Sequence, residues 1–270
     1  YVESKQKWFN IIKNIQEHLF SLNEENYQET EEILLQTKFQ YSKETTYTFL
    51  DLILIAMKSR PLNIILYKRL LDHFSQYFQK FNFSIPTFLK MHYDEPNYLN
   101  QNNYELWNNF HELTIETMTD NSLRIFHAIY YDSVDKLQNI FSNYNVFINS
   151  LIETKEITKL VNITFPKSEL HIIDLAAYFK AVNIFKFLYL SKADISHLTL
   201  TCAIVGGSID IIKIICHDKK NGFEFDQSHL ISAIQLHHND LIEYIIDNST
   251  DMCINHDVIA SSIEYYNIDY

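Results

Sequence analysis

Apolar residues recur along most of this chain at helical spacing, in short blocks set apart by a few polar residues. Between Lys5 and Leu22 the residues Trp8, Ile11, Ile12, Ile15, Leu19 and Leu22 fall on one stripe, the spacing of an amphipathic helix. A second helix is predicted from Tyr27 to Phe39. It is led by Glu24, Glu25, Glu29, Glu31 and Glu32, and carboxylates are favoured near the positive end of a helix dipole. Further along, apolar blocks come in pairs with a fixed register: an alanine, then seven residues later an Asp or Asn opening a second apolar helix. The pairs are Ala128 with Asp135, Ala176 with Asn183, Ala203 with Asp210, Ala233 with Asp240, and Ala260 with Asn267. Ala176, Ala203, Ala233 and Ala260 stand 27, 30 and 27 residues apart, the interval of stacked helix pairs rather than of one closed core.

The register has a physical reason. Two helices that cross closely need a small residue at the crossing, and alanine combines minimal volume with the best helix propensity. In the Ala203 unit Ser208 is the expected N-cap, Asp210 faces the positive end of the second helix, and Ile211, Ile212, Ile214 and Ile215 are its apolar face. Ser133, Asp135, Leu137, Ile140 and Phe141 repeat this in the Ala128 unit. A left-handed residue is expected between the helices. Gly207, Asp132 and His237 suit that place, and Lys180 and Glu264 suit it less.

Ala56 with Asn63 reads as a sixth copy, with Pro61 in a first helical turn, and a seventh would centre on Lys90 with Asn97. From Ala128 to Ala176 the interval is 48 residues. The excess, between Asn139 and Leu170, is an insertion containing Ile157, Leu160, Val161, Ile163, Phe165 and Pro166, too apolar for a free linker and expected to fold back onto the array. The organisation expected is an N-terminal helical cap over 1–43, degenerate helical repeats over 44–120, and repeats over 121–270 with the insertion at 139–170.

Composition supports helices. Only 3 Gly and 4 Pro stand beside 18 Tyr and 19 Phe, too few turn formers for a strand-rich fold. A net charge of −12, without any Lys/Arg-rich run, opposes binding to nucleic-acid phosphates. The longest apolar run, Leu52 to Met57, is far short of the ~20 residues of a membrane span. Cys202, Cys216 and Cys253 are odd in number and form no C-x-x-C pair, which fits a reducing, cytoplasmic setting better than a disulfide framework. The first residue is Tyr1 rather than methionine, as in a processed or excerpted chain.

Signatures of enzymes and metal sites are missing: the sequence has no H-E-x-x-H, P-loop, G-x-G-x-x-G or G-x-S-x-G. His237 and His238 with Asp240 could suggest a metal, but adjacent side chains on a helical corner diverge. His171 with Asp174 and His111 with Glu112 offer acid–base pairs without a nucleophile at a recognisable spacing. No cofactor is expected.

The stretch Leu175 to Asp194, reading LAAYFKAVNIFKFLYLSKAD, resembles an ankyrin repeat, with Ala176 and Ala177 at its double alanine; AIVGGSIDIIKII at Ala203 and AIQLHHNDLIEYII at Ala233 share the register. TDNSLRIFHAIYYDSVDKL, the insertion, and the corner His237-His238-Asn239-Asp240 are similar to trichomonad-type ankyrin proteins. The N-terminal helices with SRPLNIILYKRLL resemble the helical domain of unknown function that precedes their repeats. The family's opening Thr-Pro-Leu-His is replaced by HIID before Leu175, LTLT before Cys202 and SHLI before Ser232. The resemblance implies an all-α ankyrin-like solenoid that binds a protein. It places the two residues after the double alanine on the concave face: Tyr130, Tyr131, Tyr178, Phe179, Val205, Gly206, Gln235 and Leu236, of which all but Gly206 are the expected partner contacts. A competing expectation is that the insertion covers the four aromatic residues.

The leading expectation is therefore a non-catalytic protein-interaction scaffold. An alternative is a hydrolase or transferase whose catalytic residues lie in the N-terminal region, around His73, His92 and His111, with the repeats as substrate receptor. A third is a self-assembly module using exposed ends of the array.

Overall fold

The paired apolar blocks fold as helices. The computed structural model describes residues 2–37, 42–81, 109–161, 165–217, 222–249, 252 and 254–267. These are all-helical except for one small sheet, and they divide into two compact units, residues 1–104 with 262–270, and residues 105–261.

The first unit contains α1 (Val2–Phe20), α2 (Tyr27–Gln36), α3 (Lys43–Ser59) and α4 (Ile64–Gln79). α3 begins where the Ser42 hydroxyl accepts the Thr45 N–H, a side-chain cap for one of the orphan amides of the first turn. The predicted stripe of α1 is buried at Ile12, Ile15, Leu19 and Leu22, against Leu34, Phe49, Ile53, Tyr67, Leu70 and Phe74. Trp8 departs from it and is 40 % exposed. Two polar contacts fix the register of α4: the Tyr67 hydroxyl donates to the Leu19 carbonyl at 2.7 Å, and the Asn63 amide to that of Leu22 at 2.7 Å.

The Ala56 copy keeps its buried alanine and loses the expected corner. Arg60 has φ −133°, and a short 3-10 turn, Pro61–Asn63, leads into α4. Proline explains both facts: it disfavours helical or left-handed backbone at the residue before it, and it has no N–H to return to the alanine carbonyl. The seventh copy, at Lys90 and Asn97, lies outside the described residues.

The second unit contains the clear copies. Helices α5 (Asn121–Tyr130) and α6 (Val134–Asn143) form one pair, α8 (Ile172–Tyr178) and α9 (Val182–Leu190) the next, then α10 (His197–Gly206) with α11 (Ile209–His217), and α12 (Gln227–Gln235) with α13 (Asn239–Asp247). First helices pack serially, α5 on α8, α8 on α10 and α10 on α12. Second helices do the same in the order α6, α9, α11, α13.

Each pair is joined by one corner. The N–H five residues after the alanine donates back to the alanine carbonyl: Ser133 to Ala128, Ala181 to Ala176, Ser208 to Ala203 and His238 to Ala233, at 2.9–3.2 Å. The residue before each donor is left-handed, with φ of 44° at Asp132, 58° at Lys180, 67° at Gly207 and 53° at His237. This is a Schellman closure, which satisfies carbonyls that the end of a helix leaves without partners. All four alanines are fully buried.

The fifth copy corrects the sequence register. In α14 (His256–Glu264) Ala260 is exposed, and Ser262 takes the buried place: Asn267 N–H donates to the Ser262 carbonyl at 2.9 Å, and Tyr266, not Glu264, is left-handed, at φ 56°. From Ser262 onward the chain belongs to the first unit, where the Gln16 amide donates to the Tyr266 carbonyl and the Tyr266 hydroxyl to Asp51 at 3.4 Å. The Ala-plus-seven spacing at Ala260 is therefore a coincidence of a repeated Asn/Asp.

Side chains link successive pairs. Asp132, left-handed in the α5–α6 corner, accepts the N–H groups of Asn183 and Ile184 at 3.0 and 2.9 Å, capping α9 of the next pair. Thr199 donates its hydroxyl to buried Asp174 at 2.6 Å, tying α10 to α8. The caps of α10 and α12 lie two residues before the tetrapeptides LTLT and SHLI. They are Ser196 and Asp226, whose backbone N–H groups are accepted by Thr199 Oγ1 and His229 Nδ1. α8 follows the expected frame, with Asp174 accepting the His171 N–H at 3.2 Å.

The insertion after α6 holds the sheet, which the sequence reading did not foresee. β1 (Leu151–Glu153) pairs antiparallel with β2 (Glu169–His171), Ile152 opposite Leu170, around α7 (Lys155–Val161). Strands of three residues are too short to show an alternating pattern of their own. Both α7 and β1 pack on α5.

Ala203→Leu should lower stability by about 1–3 kcal/mol through overpacking, whereas Ala260→Leu should be nearly silent. Thermal unfolding of both variants measures this, and equal shifts would refute the corrected register. Asp132→Ala should cost about 0.5–2 kcal/mol by removing the cap of α9, read by the same unfolding experiment.

Candidate partner-binding face

The corner geometry sets which side chains the first helices present. The second and third positions after each of the four alanines close a first helix, just before the left-handed residue, along the serially packed layer α5, α8, α10, α12. The structure treats these positions unequally.

On α5, Tyr131 is 43 % exposed and Tyr130 half-buried, with ring centres 5.0 Å apart and near-perpendicular planes. The Lys136 ammonium stands 3.9 Å above the Tyr131 ring, a cation–π contact, and His111 Nδ1 is 3.0 Å from the Tyr131 hydroxyl. His127 lies beneath, buried, with its ring centre 4.8 Å from that of Tyr131 and Nδ1 3.5 Å from Lys136 Nζ. Burial, with the charges of Lys136 and His111 adding to it, pushes the His127 imidazole down to about 4. Burial likewise lowers His111.

Tyr178 and Phe179 are not free contacts. They are 9 % and 5 % exposed, and Phe165 from the insertion packs on both, with ring centres 5.1 and 5.9 Å away, while Phe126 approaches Phe179 at 4.9 Å. The competing expectation, that the insertion covers aromatic residues of this face, describes these two; Tyr131 stays exposed. The whole of α8 is buried, so the middle of the layer is already occupied by the chain itself.

α10 and α12 carry the remaining positions. Val205, Gln235 and Leu236 are half-buried, and Gly206 is buried. A Cβ at Gly206 would come within 2.6 Å of the Ala177 and Tyr178 carbonyl oxygens, so glycine is what lets α10 approach the end of α8. At the next corner His238 packs against Gly207, where a Cβ would meet the imidazole at 2.4 Å, and its Nε2 donates to the Val205 carbonyl at 2.9 Å. His237 supplies the left-handed residue there. Both histidines thus have places in the corner, and among the described residues no group of three His, Cys, Asp or Glu could hold a metal ion.

The other chemically suggestive residues are committed locally. His73 pairs with Glu31 at 3.0 Å in the first unit, and His92 lies outside the described residues. Asp174 is raised by burial, opposed by its bond from Thr199. Burial, with Asp174 adding to it, pushes the Cys202 thiol far up, so it is held as a neutral thiol. A cavity of about 770 Å³ opens away from the expected contacts, lined by Lys213, Cys216, Phe223, Phe225 and Tyr244 among others. No motif announced it, because its walls come from three separate segments of the chain.

His127 has an unfolded value near 6.5 and a folded value of about 4, so the unfolded chain takes up the proton first as pH falls. Its contribution to stability is complete above pH 6.5 and is lost as pH approaches 4. The melting temperature should therefore drop less across this window in His127→Gln than in the unchanged chain; identical drops would refute the assignment.

Residues 191–270 match a family described as a domain of unknown function (DUF3447). The match covers α10 to α14 and less than half of the chain. No curated protein and no solved structure matches the sequence.

Proposed function

We propose that the paired helices of residues 121–270 are an ankyrin-like repeat solenoid that binds a protein partner through its first-helix layer and carries out no chemistry. The observation that carries this reading is the repeated Schellman corner at Ala128, Ala176, Ala203 and Ala233, with first helices packed on first helices and second on second. Similar units stacked by nearest-neighbour contacts bury a continuous core and leave one layer of loosely constrained positions, which suits recognition more than catalysis. Tyr130, Tyr131, Val205, Gln235 and Leu236 are the contacts in this reading, while Tyr178 and Phe179 hold the insertion.

No helix among the described residues is long and apolar enough to cross a membrane. Cys202 and Cys216 are free thiols, in keeping with a reducing compartment, and the reading places the chain in the cytoplasm. Acidic composition favours a partner other than nucleic acid.

Affinity purification of the chain followed by mass spectrometry tests the reading, comparing it with a Val205→Asp, Leu236→Asp double variant and with Leu190→Asp on an exposed second-helix position. Proteins recovered with the unchanged chain and the Leu190 variant should be absent from the double variant. Recovery of the same proteins by all three would contradict the assigned face.

A further inference from the structure

α10 and α12 contain no Asp, Glu, Lys or Arg, in a chain with 34 acidic and 22 basic residues. Their partners α11 and α13 carry Asp210, Lys213, Asp240, Glu243 and Asp247. Within these two pairs the charged residues of the helices thus lie on the second helices, and Asp226, the cap of α12, is the acid at the start of the first-helix layer there. Half-buried residues of α10 and α12 include Leu198, Thr201, Val205, Ile231 and Gln235, with Leu236 just after α12. A surface of this kind meets a partner without the cost of desolvating ions.

The same layer already seats one occupant. Phe165 rests on Tyr178 and Phe179, which hold in α8 the register places that Val205 and Gly206 hold in α10 and Gln235 and Leu236 in α12. That internal contact is aromatic and uncharged.

We infer that the α10–α12 face takes an uncharged stretch of polypeptide with an aromatic anchor, seated as Phe165 is on α8, and that its binding is insensitive to salt. This rests on the protein-binding role proposed above and adds the chemistry of the partner. A chain of net charge −12 would by its overall field draw basic partners; the face itself selects against them, because a Lys or Arg buried there would find no counter-charge on α10 or α12.

Selection of random short peptides on the immobilised full chain tests the inference, with affinities of the enriched peptides then measured at low and high NaCl. Neutral peptides containing Phe, Tyr or Trp should be enriched. Their Kd should change less than about threefold as the Debye length falls from about 14 to about 4 Å, and weaken at least about tenfold in Leu198→Asp and Leu236→Asp variants whose melting temperatures are retained. Enrichment of basic peptides with steep salt dependence, or of peptides that bind the variants equally, would overturn the inference while leaving a protein-binding role standing. Absence of any enriched peptide would also overturn it, and the co-purification experiment then decides the broader role separately.

Discussion

A helix that ends must find partners for its last carbonyls, and in residues 105–261 the same solution recurs at every joint between first and second helices. The alanine carbonyl is reached by the N–H five residues on, a left-handed residue turns the chain, and the alanine methyl lets the second helix cross close by. Because the closure demands positive φ at one place, it draws four different residues into it: Asp132, Lys180, Gly207 and His237. Only one is glycine, so the stacking and the hydrogen bonds of the corner outweigh the strain of a left-handed side chain, of order 1–3 kcal/mol.

The corner residues also couple one pair to the next. Asp132 uses both carboxylate oxygens to cap α9, and His238 reaches from its own corner to the Val205 carbonyl while filling the space left by Gly207. The Thr199–Asp174 bond does the same on the first-helix side. Three unlike side chains thus answer one need, which is to leave no buried polar group without a partner at a junction. This explains how the units stack although the Thr-Pro-Leu-His opening is absent from all of them.

Much of this was legible in the sequence, for a physical reason: a buried small residue and a first-turn Asp or Asn seven residues later are local features, and local features leave local marks. Ala128, Ala176, Ala203 and Ala233 are where the spacing put them, and Asp132, Gly207 and His237 take the left-handed place expected of them. The same rule misled at Ala260, where Ser262, also small, serves in its stead, and at Ala56, where Pro61 cannot give the returning N–H. The caps Ser196 and Asp226 lie outside the tetrapeptides LTLT and SHLI, because α10 and α12 begin earlier than α8 relative to their alanines. Contacts at long range left no mark. That Phe165 would cover Tyr178 and Phe179 but not Tyr131, or that Asp132 would reach Asn183, depends on how a 48-residue interval folds.

The central claim is that the four corners are real closed structures and act as the joints of the unit. Hydrogen exchange of individual backbone amides measures this directly. The account predicts that the N–H groups of Ser133, Ala181, Ser208 and His238 are protected to about the degree of the buried helices they join, with all four opening together or in neighbouring steps. Exchange of these amides at the rate of open loops, with the flanking helices still protected, would contradict it.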